Sequence, residues 1–281
     1  MNLLTIGRNQ ENVVDEDALV FYEIISKCIG QKLDPTKDRI FVDKPDTQSR
    51  SSGSHMLYCT INGSRRVALK RCYDNSEFLR RELVIADAKR KLMFPSYNMF
   101  KIDGLKLRNT LTKNSCTLTQ GWENKPLLVI DFGNPSDIIN LRDLTRAKIA
   151  NMQSFCHSYG SWTAFNIFFG VRDRHAMNFI FTKNTQILHS VDNEEGPLDS
   201  SGRFIGVNDI AMTMSQNIQR LIAGANRDLC IQWLREGFID GLARIRSVDP
   251  SSISMLNANE IALLEQMLAQ APSNLQNDVF F

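Results

Sequence analysis

The chain lacks paired cysteines, long apolar runs and any real excess of charge, and each absence removes a class of protein. Its six cysteines, Cys28, Cys59, Cys72, Cys116, Cys156 and Cys230, are scattered over 281 residues with no C-x-x-C pair. Such spacing argues against a zinc ribbon or a disulfide framework, and the expectation is reduced thiols in a cytoplasmic protein. No apolar stretch approaches the roughly 18 residues that a membrane span requires. The opening MNLLTIGRNQENVVDED turns polar too early for a secretory signal, so stable membrane insertion is not expected. With 33 Lys and Arg against 31 Asp and Glu, the net charge is +2, and no global field favours a nucleic-acid partner. Local basic runs such as Arg80-Arg81 and Lys89-Arg90-Lys91 read as solvated faces. There is no internal repeat, and the low-complexity content is confined to DTQSRSSGSH (46–55).

What is present has the composition of an ordinary globular protein, 43% hydrophobic and 23% charged, long enough for one large domain or two modest lobes. Residues 15–30, DEDALVFYEIISKCIG, predict an amphipathic helix with acidic residues in its first turn and glycine at its end. MLYCTINGSRRVALKRC (56–72) predicts two strands joined at Asn62-Gly63. A helix over 75–92 follows, introduced by Asp74-Asn75-Ser76-Glu77 at capping-box spacing. On that helix Glu82 shares a face with Phe78 and Ile85 and should point inward, while Glu77 suits the cap. Residues 101–132 read as strand-rich and end in the buried-looking run PLLVIDF; beyond 207 the periodicity is helical. The predicted class is α+β, with a β-rich half over 1–133 and a mostly helical half over 134–281.

The chemistry gathers in RDRHAMNFIFTKNTQILHSVDNEEG (172–196). FIF (179–181) and ILHSV (187–191), joined by the turn 182–185, make a hairpin that should bring Asp173, Asn178 and Asp192 to one end. Hard cations such as magnesium take carboxylate and amide oxygens and leave other positions to water and phosphate. Asp173 and Asn178 are five residues apart, the spacing of the catalytic Asp and metal-binding Asn in the kinase catalytic loop, and Asp192 follows where the second metal carboxylate would lie. Arg174 reads as structural, His189 as packing, and His157, Trp162, Phe165, Phe168 and Phe169 as core.

The order Asp-Arg-His-x-x-Asn resembles the phosphoinositide 3-/4-kinase-like branch of atypical kinases. Asp192-Asn193 in place of Asp-Phe-Gly is most similar to type II phosphatidylinositol 4-kinases and their relatives. Ser51-Ser52-Gly53-Ser54 before a hairpin resembles the phosphate-covering turn of those enzymes, and Val67-Ala68-Leu69-Lys70 resembles the strand carrying the kinase lysine. The resemblance covers roughly residues 50–195 and implies a bilobal protein-kinase-like fold with ATP and magnesium, or manganese in its place, as cofactors. It implies that Ser51, Ser52, Gly53, Ser54 and Lys70 hold the phosphates, with Glu82 orienting the lysine. It puts Ile130 and Asp131 at the adenine, Asn178 and Asp192 on the metals, and Asp173 near the acceptor hydroxyl. His175 is either a base, a stabiliser of charge on the transferred group, or a residue that shapes the loop. Asp131-Phe132-Gly133 spells the kinase metal triplet but precedes the catalytic loop, so it is read as hinge backbone.

Type II lipid kinases carry a cysteine-rich segment for acylation, and none occurs here. That departure favours a protein hydroxyl or a soluble alcohol as acceptor over a phosphoinositide. Ser200-Ser201, in the segment where an activation loop should fall, are candidate autophosphorylation sites. Alternatives from other classes are a nucleotide-binding pseudokinase acting as a switch or scaffold, and transfer of the nucleotidyl rather than the phosphoryl group.

Overall fold

The structure, a computed structural model, describes residues 1–7, 10–43, 55–71, 76–171, 174–193, 207–224 and 226–270. The Ser51–Ser54 turn, Asp173, Asp74 and Asn75 of the expected cap, and Ser200-Ser201 lie outside them. The chain divides into two compact units, one formed by 1–79 with 97–136, the other by 80–96 with 137–281.

The first unit is built on a seven-stranded sheet in the order β2-β1-β3-β4-β5-β7-β6. Its strands are β1 (Leu4–Ile6), β2 (Glu11–Asn12), β3 (Ile40–Val42), β4 (His55–Ile61), β5 (Arg65–Arg71), β6 (Met99–Ile102) and β7 (Leu127–Gly133). Among the described residues of this sheet, β1 and β3 pair in parallel and the other pairings are antiparallel. The β4–β5 hairpin turns where Asn62-Gly63 predicts. Both residues have positive φ, 50° and 69°, and the Ser64 N–H donates to the Ile61 carbonyl at 3.0 Å. This is the φ signature of the primed turns that match strand twist, and glycine adopts it without a Cβ clash.

Helix α1 (Asp15–Ile29) buries Ala18, Phe21, Tyr22, Ile25, Cys28 and Ile29. Their helical spacing turns one stripe into a core shared with Leu57, Val67, Leu69, Leu127 and Val129. The strand-rich character expected from 101 to 132 is present only at its two ends. Residues 103–126 form turns and the isolated bridges Val13–Asn109 and Arg108–Ser115. Here Asn109 Oδ1 accepts from the Leu111 N–H at 2.8 Å, giving the backbone a local alternative to a ladder.

The second unit contains most of helix α2 (Ser76–Lys91), followed later in the chain by β8 (Ile138–Asn140), helix α3 (Met152–Phe168), and strands β9 (Phe179–Thr182) and β10 (Ile187–Ser190). Helices α4 (Val207–Ile222), α5 (Arg227–Arg246) and α6 (Ala258–Gln270) complete it. Its three-stranded sheet runs β10-β9-β8. Helix α3 is buried nearly all round, with Tyr159, Trp162, Phe165 and Phe168 in the core, as a helix without a polar face must be. Helices α3 and α5 approach until their backbones touch: a Cβ at Gly237 would lie 1.9 Å from the His157 carbonyl oxygen. The Ser161 hydroxyl spans the contact, donating to the Gly237 carbonyl at 2.8 Å. The molecule is therefore α+β, with a β-rich N-terminal sheet and a helical C-terminal part.

Candidate functional site

The β9–β10 ladder pairs Phe179 with Ser190, so Asn178 enters the hairpin beside the point where Val191 and Asp192 leave it. The Val191 N–H donates to the Asn178 carbonyl at 2.9 Å, which carries the pairing one step past the strands. Asn178, in the short 3-10 turn Ala176–Asn178, is buried, and Asp192 is half-buried with φ 57°. Non-glycine residues seldom occupy that left-handed region, although aspartate is among those that tolerate it.

A buried polar network holds each residue from Ser190 to Asn193. Arg174, 2% exposed, donates to the Ser190 hydroxyl at 3.1 Å, to the Val191 carbonyl at 3.0 Å, and to the Asp192 carbonyl. Its own carbonyl accepts from the Asn217 side chain on α4. Lys89 of α2, 3% exposed, donates from Nζ to the Ser190 carbonyl at 2.7 Å and lies 5.3 Å from the Trp162 ring centroid. Glu82 of α2, 2% exposed, accepts the Asn193 N–H at 3.0 Å and the Asn193 side-chain amide at 3.3 Å. The Ser190 hydroxyl donates to Asn193 Oδ1 at 3.4 Å. Buried charge persists only when paired and hydrogen-bonded, and this cluster alternates two cations and one carboxylate around a single stretch of backbone. Loss of water pulls the Lys89 ammonium down to about 7, with Glu82 opposing the shift and Arg174 adding to it. Burial, then the Lys89 charge, brings the His189 imidazole to about 4, so it is neutral at ordinary pH.

In the first unit, Lys70 on β5 is 2% exposed and stands between Met56 and Leu128 in the ladder. Ile130 on β7 is buried opposite Ala68 and Met99. The Asp131 carboxylate accepts from Arg65 Nε at 3.1 Å, from the Arg65 terminal nitrogen at 2.5 Å, and from the Gly133 N–H at 3.0 Å. Its own N–H donates to the Asn98 carbonyl at 3.0 Å. The aspartate of the Asp-Phe-Gly triplet is thus committed to a guanidinium, in the two-pronged geometry that Arg and carboxylate favour.

His175 is exposed, and its Nδ1 accepts the Met177 N–H at 3.2 Å, capping the 3-10 turn. In the neutral ring that acceptance places the proton on Nε2. Among the described residues no group of three or more His, Cys, Asp or Glu could hold a metal. The Asn178 amide and the Asp192 carboxylate are hard oxygen donors, a set that fits a magnesium ion completed by water and phosphate.

Lys89, Ser190 and Asn193 join the network without having been singled out as site residues. The run Lys89-Arg90-Lys91 reads as a solvated face, yet Lys89 follows Glu82 and Ile85 on the same helical face, the signal that places it inside. Arg174 is structural, as expected.

No protein-family model and no curated protein matches this sequence. Solved structures do match. The Helicobacter pylori proinflammatory kinase CtkA aligns at 12% identity over 80% of this chain and 92% of that one, with a TM-score of 0.39. A Stt7 homolog from Micromonas algae, soaked with ATP, aligns at 12% identity over 84% and 75%, with a TM-score of 0.38. The CtTel1 dimer aligns at 13% identity over 80% of this chain and 11% of that one, with a TM-score of 0.35. Similarity this distant fixes neither family nor activity.

Proposed function

We propose that the chain is an ATP- and magnesium-dependent phosphotransferase of the atypical, phosphoinositide-kinase-like type, acting on a hydroxyl of a protein or a soluble alcohol. The observation that carries the reading is the meeting of Asn178 and Asp192 at one end of the β9–β10 hairpin, with the backbone from Ser190 to Asn193 fixed by buried charges. Phosphoryl transfer asks little covalent chemistry of a protein and much positioning, so a rigid pair of oxygen donors is the expected investment. Magnesium, held by Asn178 and Asp192, would neutralise phosphate charge. Lys70 and the Ser51–Ser54 turn would bind the phosphates, and the Ile130–Asp131 backbone would face the adenine. His175 would stabilise charge on the transferred group, and Asp173 would take the acceptor proton.

The test is thermal unfolding with and without ATP plus magnesium, for wild type and Asp192→Ala. At about a hundred times its dissociation constant, a ligand stabilises a fold by roughly 2.7 kcal/mol. Wild type should gain that increment and Asp192→Ala should lose its magnesium-dependent part. If no nucleotide with any divalent metal shifts wild type, the reading fails. Mass spectrometry of the acceptor then separates phosphoryl from nucleotidyl transfer by the mass added.

A further inference from the structure

The second unit holds two cysteines, Cys156 on α3 and Cys230 on α5, and both are free thiols with no exposed surface. Their helices pack backbone to backbone. A Cβ at Gly160 would lie 2.0 Å from the Leu234 carbonyl oxygen, one at Gly237 1.9 Å from that of His157, and one at Gly241 2.8 Å from that of Ser161. These contacts advance together, His157 with Gly237 and Ser161 with Gly241, so α3 and α5 run parallel. One turn back from Gly160 and Leu234, on the same two faces, stand Cys156 and Cys230. Their thiols come within hydrogen-bonding reach there. Burial raises the Cys156 thiol first, the charge of Cys230 and a hydrogen bond with it add to the shift, and Arg146 opposes it.

We infer that Cys156 and Cys230 form a redox-sensitive staple, a reversible disulfide across the α3–α5 seam, with a small disulfide such as oxidised glutathione as the oxidant. A disulfide asks for Cα atoms about 4.4–6.8 Å apart. Helices at the usual spacing of about 8–10 Å between axes seldom offer that separation, whereas helices whose backbones touch do. In the first step one cysteine, as thiolate, attacks a glutathione sulfur and releases one glutathione thiolate. The other cysteine then displaces the second glutathione and closes the Sγ–Sγ bond. The two cysteines give up two electrons and two protons, and one glutathione disulfide becomes two thiols. Burial favours the thiol over the thiolate, so both making and breaking the bridge wait on local opening of the seam. The bridge encloses residues 157–229, and a closed loop this long strongly restricts the unfolded chain. Nothing in this pairing depends on the phosphotransferase reading.

The experiment refolds the full chain from denaturant into a buffer with oxidised glutathione in excess over reduced, so that the pair meets the oxidant before the seam closes. Remaining thiols are blocked with iodoacetamide, and the peptides are mapped by mass spectrometry without reduction. The expected product is an intramolecular bridge between the Cys156 and Cys230 peptides. The denaturant midpoint of the bridged protein should lie above that of the same sample after reduction, because the cross-link acts on the unfolded chain. Cys230→Ala should remove both the bridged peptide and the shift, and Cys156→Ala carries the same comparison if Cys230→Ala does not fold. A map in which Cys156 and Cys230 both carry the blocking group overturns the staple. So does a bridge that leaves the midpoint unchanged or lower, or a shift that persists in the alanine variant.

Discussion

Asp131 lies near the end of β7 and Asp192 two residues past β10, one in each unit, and their surroundings are opposite in kind. Asp131 belongs to the triplet Asp-Phe-Gly, yet its carboxylate is taken up by Arg65 and the Gly133 N–H. Asp192 is followed by asparagine, yet its backbone is held in the left-handed region beside Asn178. A motif in letters specifies side chains; what those side chains can do depends on which donors already occupy them. In Asp131 the carboxylate holds a strand end to its neighbour. Around Asp192 the buried charges hold the main chain.

The largest test of this contrast is ligand-dependent. Asp131→Asn should keep the full nucleotide-plus-magnesium increment of roughly 2.7 kcal/mol, and Asp192→Asn should lose the magnesium-dependent share, both read from unfolding midpoints. A loss in Asp131→Asn would break the contrast.

Next in size is Arg65→Ala, which strips the cation from a carboxylate only 12% exposed. Because the Arg65 side chain is 34% exposed, the cost should be about 1–2 kcal/mol by denaturant titration, below that of a fully buried pair.

The third test concerns Lys89, whose pKa near 7 in the folded chain lies below the ordinary 10.5. Between those values the unfolded chain binds more protons, so stability rises with pH from about 7 upward. The rise should be about 1 kcal/mol between pH 7 and pH 8. Lys89→Met should flatten that segment of the stability curve; an unchanged slope would refute the assignment. The smallest effect belongs to Asp192→Gly without ligand. Relief of the positive φ and the added freedom of the unfolded chain oppose each other, leaving stability within about 0.5 kcal/mol of wild type.

Much of this arrangement is legible in the sequence. The Asn62-Gly63 turn, helix α1, the β9–β10 hairpin and the inward direction of Glu82 follow from turn chemistry and periodicity, which are local properties. The three-residue strands β1, β3 and β8 are too short to show an alternation and are defined by partners far along the chain. Residues 103–126 alternate like strands but satisfy their backbone through turns such as that at Asn109. Lys89 was hidden by its neighbours Arg90 and Lys91, since a basic run reads as surface unless its helical face is traced. One partner of Glu82, the Asn193 N–H, was not legible either. It is a main-chain N–H 111 residues away, and no side-chain pattern announces it.

Neither unit is continuous in sequence: the chain leaves the first at Leu79, returns to it at Tyr97 and leaves again at Ser136. The consequence is one of timing during synthesis. Arg80 pairs with Glu260, 180 residues later. At about 5–20 residues per second, the first turns of α2 leave the ribosome roughly ten to forty seconds before that partner exists. Through that interval Val84, Ile85 and Ala88 have no finished core to enter, and α2 is the segment a chaperone would be expected to shelter on the nascent chain.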